Sequence, residues 1–219
     1  MPEEKKMLKP LTKEQTERIL MTAAEEFANG GYAHTSISAI ARKSGVSVGV
    51  IYKYYEDKAD LFKACVVKCL ESLDEVFEQV HNKGLSLMDM ADELIAQVQI
   101  FARKHPEYFR LYHQITVTGS SLMTPEIAEL IEGRSARLYS GLLKKACESG
   151  EVRSDMDPSL FAFFFDNLLM MLHFSYTCGY YENRFRIFCG DDVTERDKEV
   201  REQMLKFIGG ALNGVHISI

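Results

Sequence analysis

The sequence lacks the features that mark secreted and membrane proteins. Its charged start, MPEEKKMLKP, contains no apolar run that would form a leader or an anchor. Its five cysteines are an odd set without a Cys-x-x-Cys pair, so no disulfide framework is indicated. The most apolar stretch, residues 160–176, is interrupted by Asp166, Asn167 and His173, and its uninterrupted runs are too short to cross a bilayer. We expect a cytoplasmic protein whose residues 1–11 form a disordered tail.

Motifs of the common enzyme classes are also missing. The sequence has no phosphate loop, nucleophile elbow, metal pair or pair of carboxylates at a usable spacing. Cys65 and Cys69 stand one helical turn apart, but no histidine or acidic residue at ligand spacing completes a metal site. We therefore expect no catalytic residues, no metal and no cofactor. An enzyme, or a helical ligand-binding scaffold without DNA binding, stays open as the alternative function.

The charge is unevenly distributed along the chain. The net charge is −6, which argues against binding a polyanion by overall electrostatics. Residues 1–63 are close to neutral, with ten Lys or Arg against nine Asp or Glu, so nearly all of the negative charge lies in the later part. A nucleic-acid surface must therefore be local.

The chain has no segment that alternates with period two, so an all-α fold is expected. Helix starts are indicated by capping residues at Asp57, Ser86, Asp157 and Thr194. Glycine or proline marks the stops. About nine helices are predicted, at 13–29, 36–44, 47–54, 57–82, 87–103, 106–117, 125–149, 158–178 and 194–212.

Residues 30–55, GGYAHTSISAIARKSGVSVGVIYKYY, predict two short helices joined by a turn at Gly45, which is a helix-turn-helix. On the second helix Ile51 and Tyr55 share the face that packs inward, which leaves the opposite face to solvent. A helix that enters the major groove needs small residues at its N-terminal end, where it approaches the base edges. It also needs hydroxyl groups and a cation that can contact the DNA. The outward set supplies them: Val48, Gly49, Tyr52, Lys53 and Tyr54. Lys58, at the next helix start, adds a positive charge to free backbone amides, and together they suit a phosphate.

Residues 18–62 resemble the N-terminal DNA-binding domain of the TetR family of bacterial transcriptional regulators. The resemblance rests on the patterns A-x-x-x-F-x-x-x-G-Y, I-A-x-x-x-G-V-S and Y-x-Y-[FY]-x-x-K, which occur in this order without a gap. It implies a homodimeric repressor that binds a palindromic operator and leaves it when a small effector binds a helical C-terminal domain. It also implies phosphate contacts at Ser36, Tyr54 and Lys58, and groove contacts at Ser38, Val48, Gly49, Tyr52 and Lys53. Ser47, which the sequence predicts as the cap of the second helix, is a further candidate DNA-binding residue. Ser38 and Val48 depart from the family, which often has a long basic and a polar residue at these places. Without the resemblance, the tyrosines would be equally consistent with packing.

We assign residues 1–56 to the DNA-binding domain and residues 57–219 to a domain for effector binding and dimerisation. Helices 158–178 and 194–212 are the predicted subunit contacts. The first is apolar on most faces, and the second carries a stripe of Met204, Leu205, Ile208 and Leu212. The alternative for helix 158–178 is a place in the core of the monomer.

Polar side chains within apolar helices are the candidate effector contacts. They are Tyr108, Tyr112, His113, Asn167, His173 and Tyr176. The abundance of Phe, Met and Tyr favours an apolar or aromatic effector. A lone histidine such as His113 or His173 is also consistent with ordinary core packing.

Overall fold

The computed structural model describes residues 10–81, 85–117 and 125–213, except for the side chains of 73–81, 117 and 126. All regular structure in these ranges is helical, as predicted. The ten α-helices are α1 (Lys13–His34), α2 (Ile37–Ser44), α3 (Val48–Tyr54), α4 (Lys58–His81), α5 (Leu87–Lys104), α6 (Pro106–Val117), α7 (Pro125–Ser149), α8 (Pro158–Thr177), α9 (Gly179–Cys189) and α10 (Asp197–Asn213), and a 3-10 turn covers Val193–Glu195.

The chain divides into two compact units, residues 1–71 and 72–219. The first unit contains α1, α2, α3 and the beginning of α4. Its core is formed by side chains that are almost wholly inaccessible, and these are Ile19, Phe27, Ile40, Ile51 and Leu61. Phe27 packs edge-on against Phe62 with ring centroids 5.0 Å apart. One apolar side of each of the four helices thus closes a small core.

The helix ends of the first unit follow from their capping residues. Thr12 and Gln15 form a reciprocal capping box at the start of α1. Gly31 leaves the helical conformation with φ 72°, so the regular part of α1 ends close to the predicted position. Gly45 ends α2 in the left-handed conformation at φ 71°, which a residue with a Cβ adopts only with strain. This turn sets the angle between α2 and α3.

In the second unit α8 packs against α5, α6, α7 and α9. Its buried side includes Ala162, Phe165, Leu169 and Leu172, which join side chains of α5, α7 and α10 in one apolar core. Among the described residues α8 is the one helix long and apolar enough to cross a membrane by length and composition. Because α8 as a whole packs against four neighbouring helices, we interpret it as the central helix of the unit.

Two details of the helix prediction were wrong. Helix α9 was missed because it follows α8 immediately and has no side-chain cap at Cys178. It is stabilised instead by an ion pair between Arg186 and Glu182 at 2.8 Å and by packing of Phe185 on Tyr176. Helix α10 starts at Asp197 rather than at 194, because Thr194 lies in the 3-10 turn.

Candidate DNA-binding surface and effector region

Helix α3 presents most of its side chains to solvent. Ile51 is its one buried residue, at 1% exposure, whereas Tyr52 and Tyr54 are 52% and 42% exposed. Lys53 is also exposed, and its ammonium lies 5.7 Å from the centre of the Tyr54 ring. Gly49 is exposed, and a Cβ built on it would meet nothing closer than the Ser47 hydroxyl at 3.9 Å. The predicted groove-facing surface is therefore accessible to a large partner.

Two predicted serines act as helix caps. The Ser36 hydroxyl accepts a hydrogen bond from the Ala39 amide at 3.2 Å, and the Ser47 hydroxyl accepts one from the Val50 amide at 3.3 Å. A hydroxyl that accepts in this way keeps its own proton for donation. Both serines are exposed, as is Ser38, while Val48 is half-buried. The caps thus place hydroxyl donors at the N-terminal ends of α2 and α3.

Tyr54 also contacts the segment that precedes α1. Its hydroxyl accepts a hydrogen bond from the Leu11 amide at 2.8 Å, at the end of the predicted tail. Residues 1–9 of that tail lie outside the described residues. The Tyr54 hydroxyl keeps its proton and remains able to donate.

Lys58 makes protein contacts that were not predicted from the sequence. Its ammonium donates to the carbonyl oxygens of Tyr32, Ala33 and Thr35 at 2.8, 3.4 and 3.2 Å. It also lies 4.3 Å from the centre of the Tyr32 ring. The cation thus joins the start of α4 to the end of α1, where carbonyl oxygens lack helical partners.

Three of the six predicted effector residues have structural partners. Tyr108 is buried and stacks on Phe101 at 6.0 Å. Asn167 donates to a carbonyl of its own helix, that of Phe163, at 2.7 Å. The Tyr176 hydroxyl donates to Asp197 at 2.8 Å and accepts from Gln99 at 3.2 Å. These contacts account for the polar groups of Asn167 and Tyr176 without a ligand.

The other three predicted residues meet around Phe174. The ring centres of Tyr112 and His113 lie 5.8 and 5.1 Å from that of Phe174. His173 stacks on Phe109 at 4.0 Å, with its ring 5.9 Å from that of Tyr112. Burial lowers the pKa of His173 to about 3, so its imidazole is neutral at pH 7. Burial also lowers the pKa of His113.

Tyr112 lies near two carboxylates that were not predicted from the sequence. Its hydroxyl donates to Glu132 of α7 at 2.7 Å. Burial and the nearby charge of Glu132 raise the pKa of Asp166, on α8, to about 6, although a hydrogen bond with Ser135 acts against the rise. Asp166 stands out in the sequence as an acidic residue inside an apolar helix. Nothing in the sequence around Glu132, its neighbour on α7, marks that residue in the same way.

A small apolar cavity of about 30 Å³ lies elsewhere in the same unit. It is lined by residues of α5, α7, α8 and α10, among them Leu94, Leu143 and Ile208. None of the six predicted effector residues lines it. Its volume is comparable to that of one water molecule, so it is too small for an organic effector as it stands.

Large apolar side chains are exposed on several helices of the second unit, and most of them lie on α8, α9 and α10. On α8 they are Leu160, Phe163 and Phe164 at 59%, 62% and 58%, and Phe207 on α10 is 67% exposed. On α9, which was not predicted, Tyr180, Ile187 and Phe188 are 74%, 82% and 74% exposed. The predicted stripe of α10 faces the core of the same chain instead, with Ile208 and Leu212 buried. Helix α8 therefore combines a buried core side with an exposed apolar side.

The chain combines an accessible helix-turn-helix with a larger helical unit. This arrangement is typical of a DNA-binding regulator. Residues 19–65 match the family model described as "Bacterial regulatory proteins, tetR family". Residues 19–65 therefore form a DNA-binding domain of the TetR type, and the curated relatives of the chain are transcriptional regulators.

Known relatives resemble the chain over most of its length. It is 29% identical to the HTH-type transcriptional repressor BepR of Brucella suis over 151 residues, which cover 65% of this chain and 70% of the relative. It is 26% identical to the fatty acid metabolism regulator protein of Bacillus subtilis over 148 residues, 65% of this chain and 73% of the relative. The structure of FadR from Bacillus subtilis in complex with stearoyl-CoA superposes with a TM-score of 0.69 at 18% identity, covering 91% of this chain and 99% of that one. At 18% identity, the similarity to the FadR structure shows a shared fold.

Proposed function

We propose that this regulator is a cytoplasmic repressor that binds a palindromic operator as a homodimer and leaves it when a small effector binds the helical domain. The observation that carries the proposal is the exposed face of α3. A packed core does not require tyrosines that are 52% and 42% exposed beside an exposed lysine, whereas a major-groove helix does.

The DNA contacts divide into two kinds. Tyr52, Lys53, Val48 and Gly49 are proposed to meet base edges, together with Ser38. Ser36, Ser47 and Tyr54 are proposed to donate their remaining hydroxyl protons to phosphates. Lys58 joins the phosphate contacts if its ammonium exchanges one of its three carbonyl partners for a phosphate oxygen. Residues 1–56 form the proposed DNA-binding domain, and residues 57–219 the domain for effector and partner subunit.

The exposed side of α8 supports dimerisation. Three large apolar side chains more than half exposed on one helix are unusual for a monomeric surface. A second copy of the chain would cover them across a two-fold axis. Helix α10 would contribute Phe207, since its predicted stripe is occupied within its own core.

The effector is proposed to have an apolar chain or ring and to bind near α6 and α8. Tyr112, His113 and His173 meet there among aromatic rings, which provide an apolar wall with a few polar groups. The names of two related proteins, a fatty acid metabolism regulator and a stearoyl-CoA complex, support an apolar effector for this chain as well.

A salt-dependent DNA-binding experiment tests the proposal. The purified protein is used to select sequences from random duplex DNA, and its affinity for the selected sequence is measured by fluorescence anisotropy between 50 and 200 mM salt. We expect an inverted repeat and an affinity that falls linearly on a log-log plot of salt. Lys53→Ala should weaken binding, whereas Lys198→Ala, at an exposed lysine of the second unit, should not. Selection of no common sequence would contradict the proposal.

A further inference from the structure

The segment before α1 is joined to the end of α3. The backbone amide of Leu11 donates a hydrogen bond to the Tyr54 hydroxyl at 2.8 Å. Leu11 is half-buried and Pro10 is exposed, so the chain enters the first unit beside Tyr54. Tyr54 is 42% exposed and belongs to the face of α3 that is proposed to meet DNA. The residues that precede Pro10 are therefore attached at the edge of that face.

The bond to Leu11 leaves the Tyr54 hydroxyl able to bind DNA. A phenol oxygen accepts a hydrogen bond while its own proton stays free for donation. The Leu11 amide and a DNA phosphate can thus bind the same hydroxyl at once, and each bond polarises the hydroxyl in the sense that strengthens the other. When Tyr54 contacts a phosphate, Leu11 is held next to the DNA backbone.

The residues around this attachment point are basic. Residues 5–13, KKMLKPLTK, contain four lysines and no aspartate or glutamate, in a chain whose net charge is −6. Lys13 is exposed and forms no ion pair within the described residues. It occupies the first position of α1, where a cation opposes the helix dipole. The charge of residues 5–13, which we call the basic segment, thus fits an external anion better than it fits the fold.

The phosphate backbone of DNA is the anion that lies next to the basic segment in the proposed complex. Lysines bind phosphates through charge and do not read sequence. An extended chain spans at most about 3.3–3.6 Å per residue, so the six residues between Leu11 and Lys5 reach at most about 20 Å. Base pairs are stacked about 3.4 Å apart, so this reach corresponds to about six base pairs. The basic segment is long enough to follow DNA beyond the base pairs that α3 contacts.

We propose that the basic segment is a second DNA-contacting element, which binds phosphates that flank each half-site and is anchored by the bond between Leu11 and Tyr54. Its partner is duplex DNA outside the inverted repeat, and its contacts carry no sequence preference. The inference rests on the proposed function. It extends the DNA interface from the helix-turn-helix to the residues before α1.

Two duplexes of different length test the proposal. One ends at the outer base pairs of the inverted repeat that the protein selects, and the other carries about eight further base pairs of unrelated sequence at each end, slightly more than the reach of the segment. The affinity of the full-length protein for both is measured by fluorescence anisotropy between 50 and 200 mM salt. We expect the longer duplex to bind about tenfold more tightly at the lowest salt, with a steeper salt dependence.

Removing the charge of the basic segment should abolish this gain in affinity. The triple variant is Lys5→Gln, Lys6→Gln and Lys9→Gln. It should bind both duplexes about equally, and its salt slope on the longer duplex should fall by at least about two, at about one for each lost phosphate contact in the two subunits. The matched control removes the same charge from exposed lysines of the second unit, and its changes are Lys144→Gln, Lys145→Gln and Lys198→Gln. It should keep the native gain.

Tyr54→Phe tests the anchor, because it removes the hydroxyl that accepts from Leu11. The phosphate contact of Tyr54 itself is lost on both duplexes alike, so the ratio of the two affinities reports on the basic segment. We expect this ratio to fall at least about threefold, as for the loss of one hydrogen bond. An unchanged ratio would contradict the anchor.

The other results that overturn the proposal are equal binding of both duplexes by the native chain, a gain that survives in the triple variant, and a gain that is also lost in the matched control. Selection of an inverted repeat without a gain from flanking DNA would refute this inference alone and leave the proposed repressor intact. Selection of no common sequence would refute both.

Discussion

Replacing Asp166 by asparagine should change how the stability of the protein depends on pH. The folded state raises the pKa of this carboxyl from 3.8 to about 6. Between these pH values the folded protein holds a proton that the unfolded chain has released. The contribution of Asp166 to the free energy of unfolding is therefore largest at low pH and decreases as the pH rises. The difference between the unfolded and folded pKa values corresponds to about 3 kcal/mol.

His173 acts in the opposite direction over an overlapping range. Its pKa falls from 6.5 to about 3 on folding, so the unfolded chain binds a proton that the folded protein does not. Its contribution is complete above pH 6.5 and is lost as the pH falls toward 3. Between about pH 4 and 6 the two groups nearly cancel in the native chain. Asp166→Asn removes one of them and exposes the slope of His173, about 1.4 kcal/mol per pH unit.

The assay is urea unfolding followed by circular dichroism at pH 4, 5, 6 and 7.5, at one protein concentration because the protein is expected to dimerise. All other titrating groups are common to both proteins, so the difference between them reports on Asp166. We expect Asp166→Asn to be more stable than the native chain at pH 7.5 and to lose about 3 kcal/mol of this advantage by pH 4. An Asp166→Asn difference that varies by less than about 1 kcal/mol across the range would refute the reasoning.

Three further predictions concern other parts of the chain. Lys58→Gln should lower the free energy of unfolding by about 1–2 kcal/mol through its lost carbonyl contacts. If Lys58 also binds phosphate, the same change lowers the salt slope of DNA binding by about one, and an unchanged slope would assign it a structural role alone. Light scattering should give twice 24.9 kDa for the native chain, and Phe163→Ser with Phe164→Ser should shift it toward monomer. A native monomer at micromolar concentration would exclude the dimer. Tyr52→Ala should weaken operator binding while changing the unfolding free energy by less than about 0.5 kcal/mol, because the side chain is 52% exposed; equal affinity would remove Tyr52 from the interface.

The first unit was the more predictable part of the chain because its signals are local. Caps at Ser36 and Ser47, and a glycine that must adopt positive φ at Gly45, mark α2 and α3 within a few residues. The position of Ile51 on the inner face then fixes which α3 residues face solvent. The contacts of Lys58 were not predictable in this way, because they depend on where the end of α1 lies in space.

In the second unit local signals located most helices but not their partners. Helix α9 has neither a cap nor one apolar side, so nothing in its own sequence marked it. The apolar stripe of α10 was visible, yet periodicity cannot distinguish a core from a subunit contact, and the structure places Ile208 and Leu212 in the core.

The sequence by itself determined that the chain is helical, where the helix-turn-helix lies and which family it resembles, since capping, periodicity and turn chemistry act over a few residues. The tertiary structure alone decided which polar groups meet. Glu132 and Asp166 are 34 positions apart on different helices, and only the packing of α7 against α8 brings them together. The raised pKa of Asp166 is a property of that packing, because a carboxylate in an isolated helix is solvated and its pKa is unshifted.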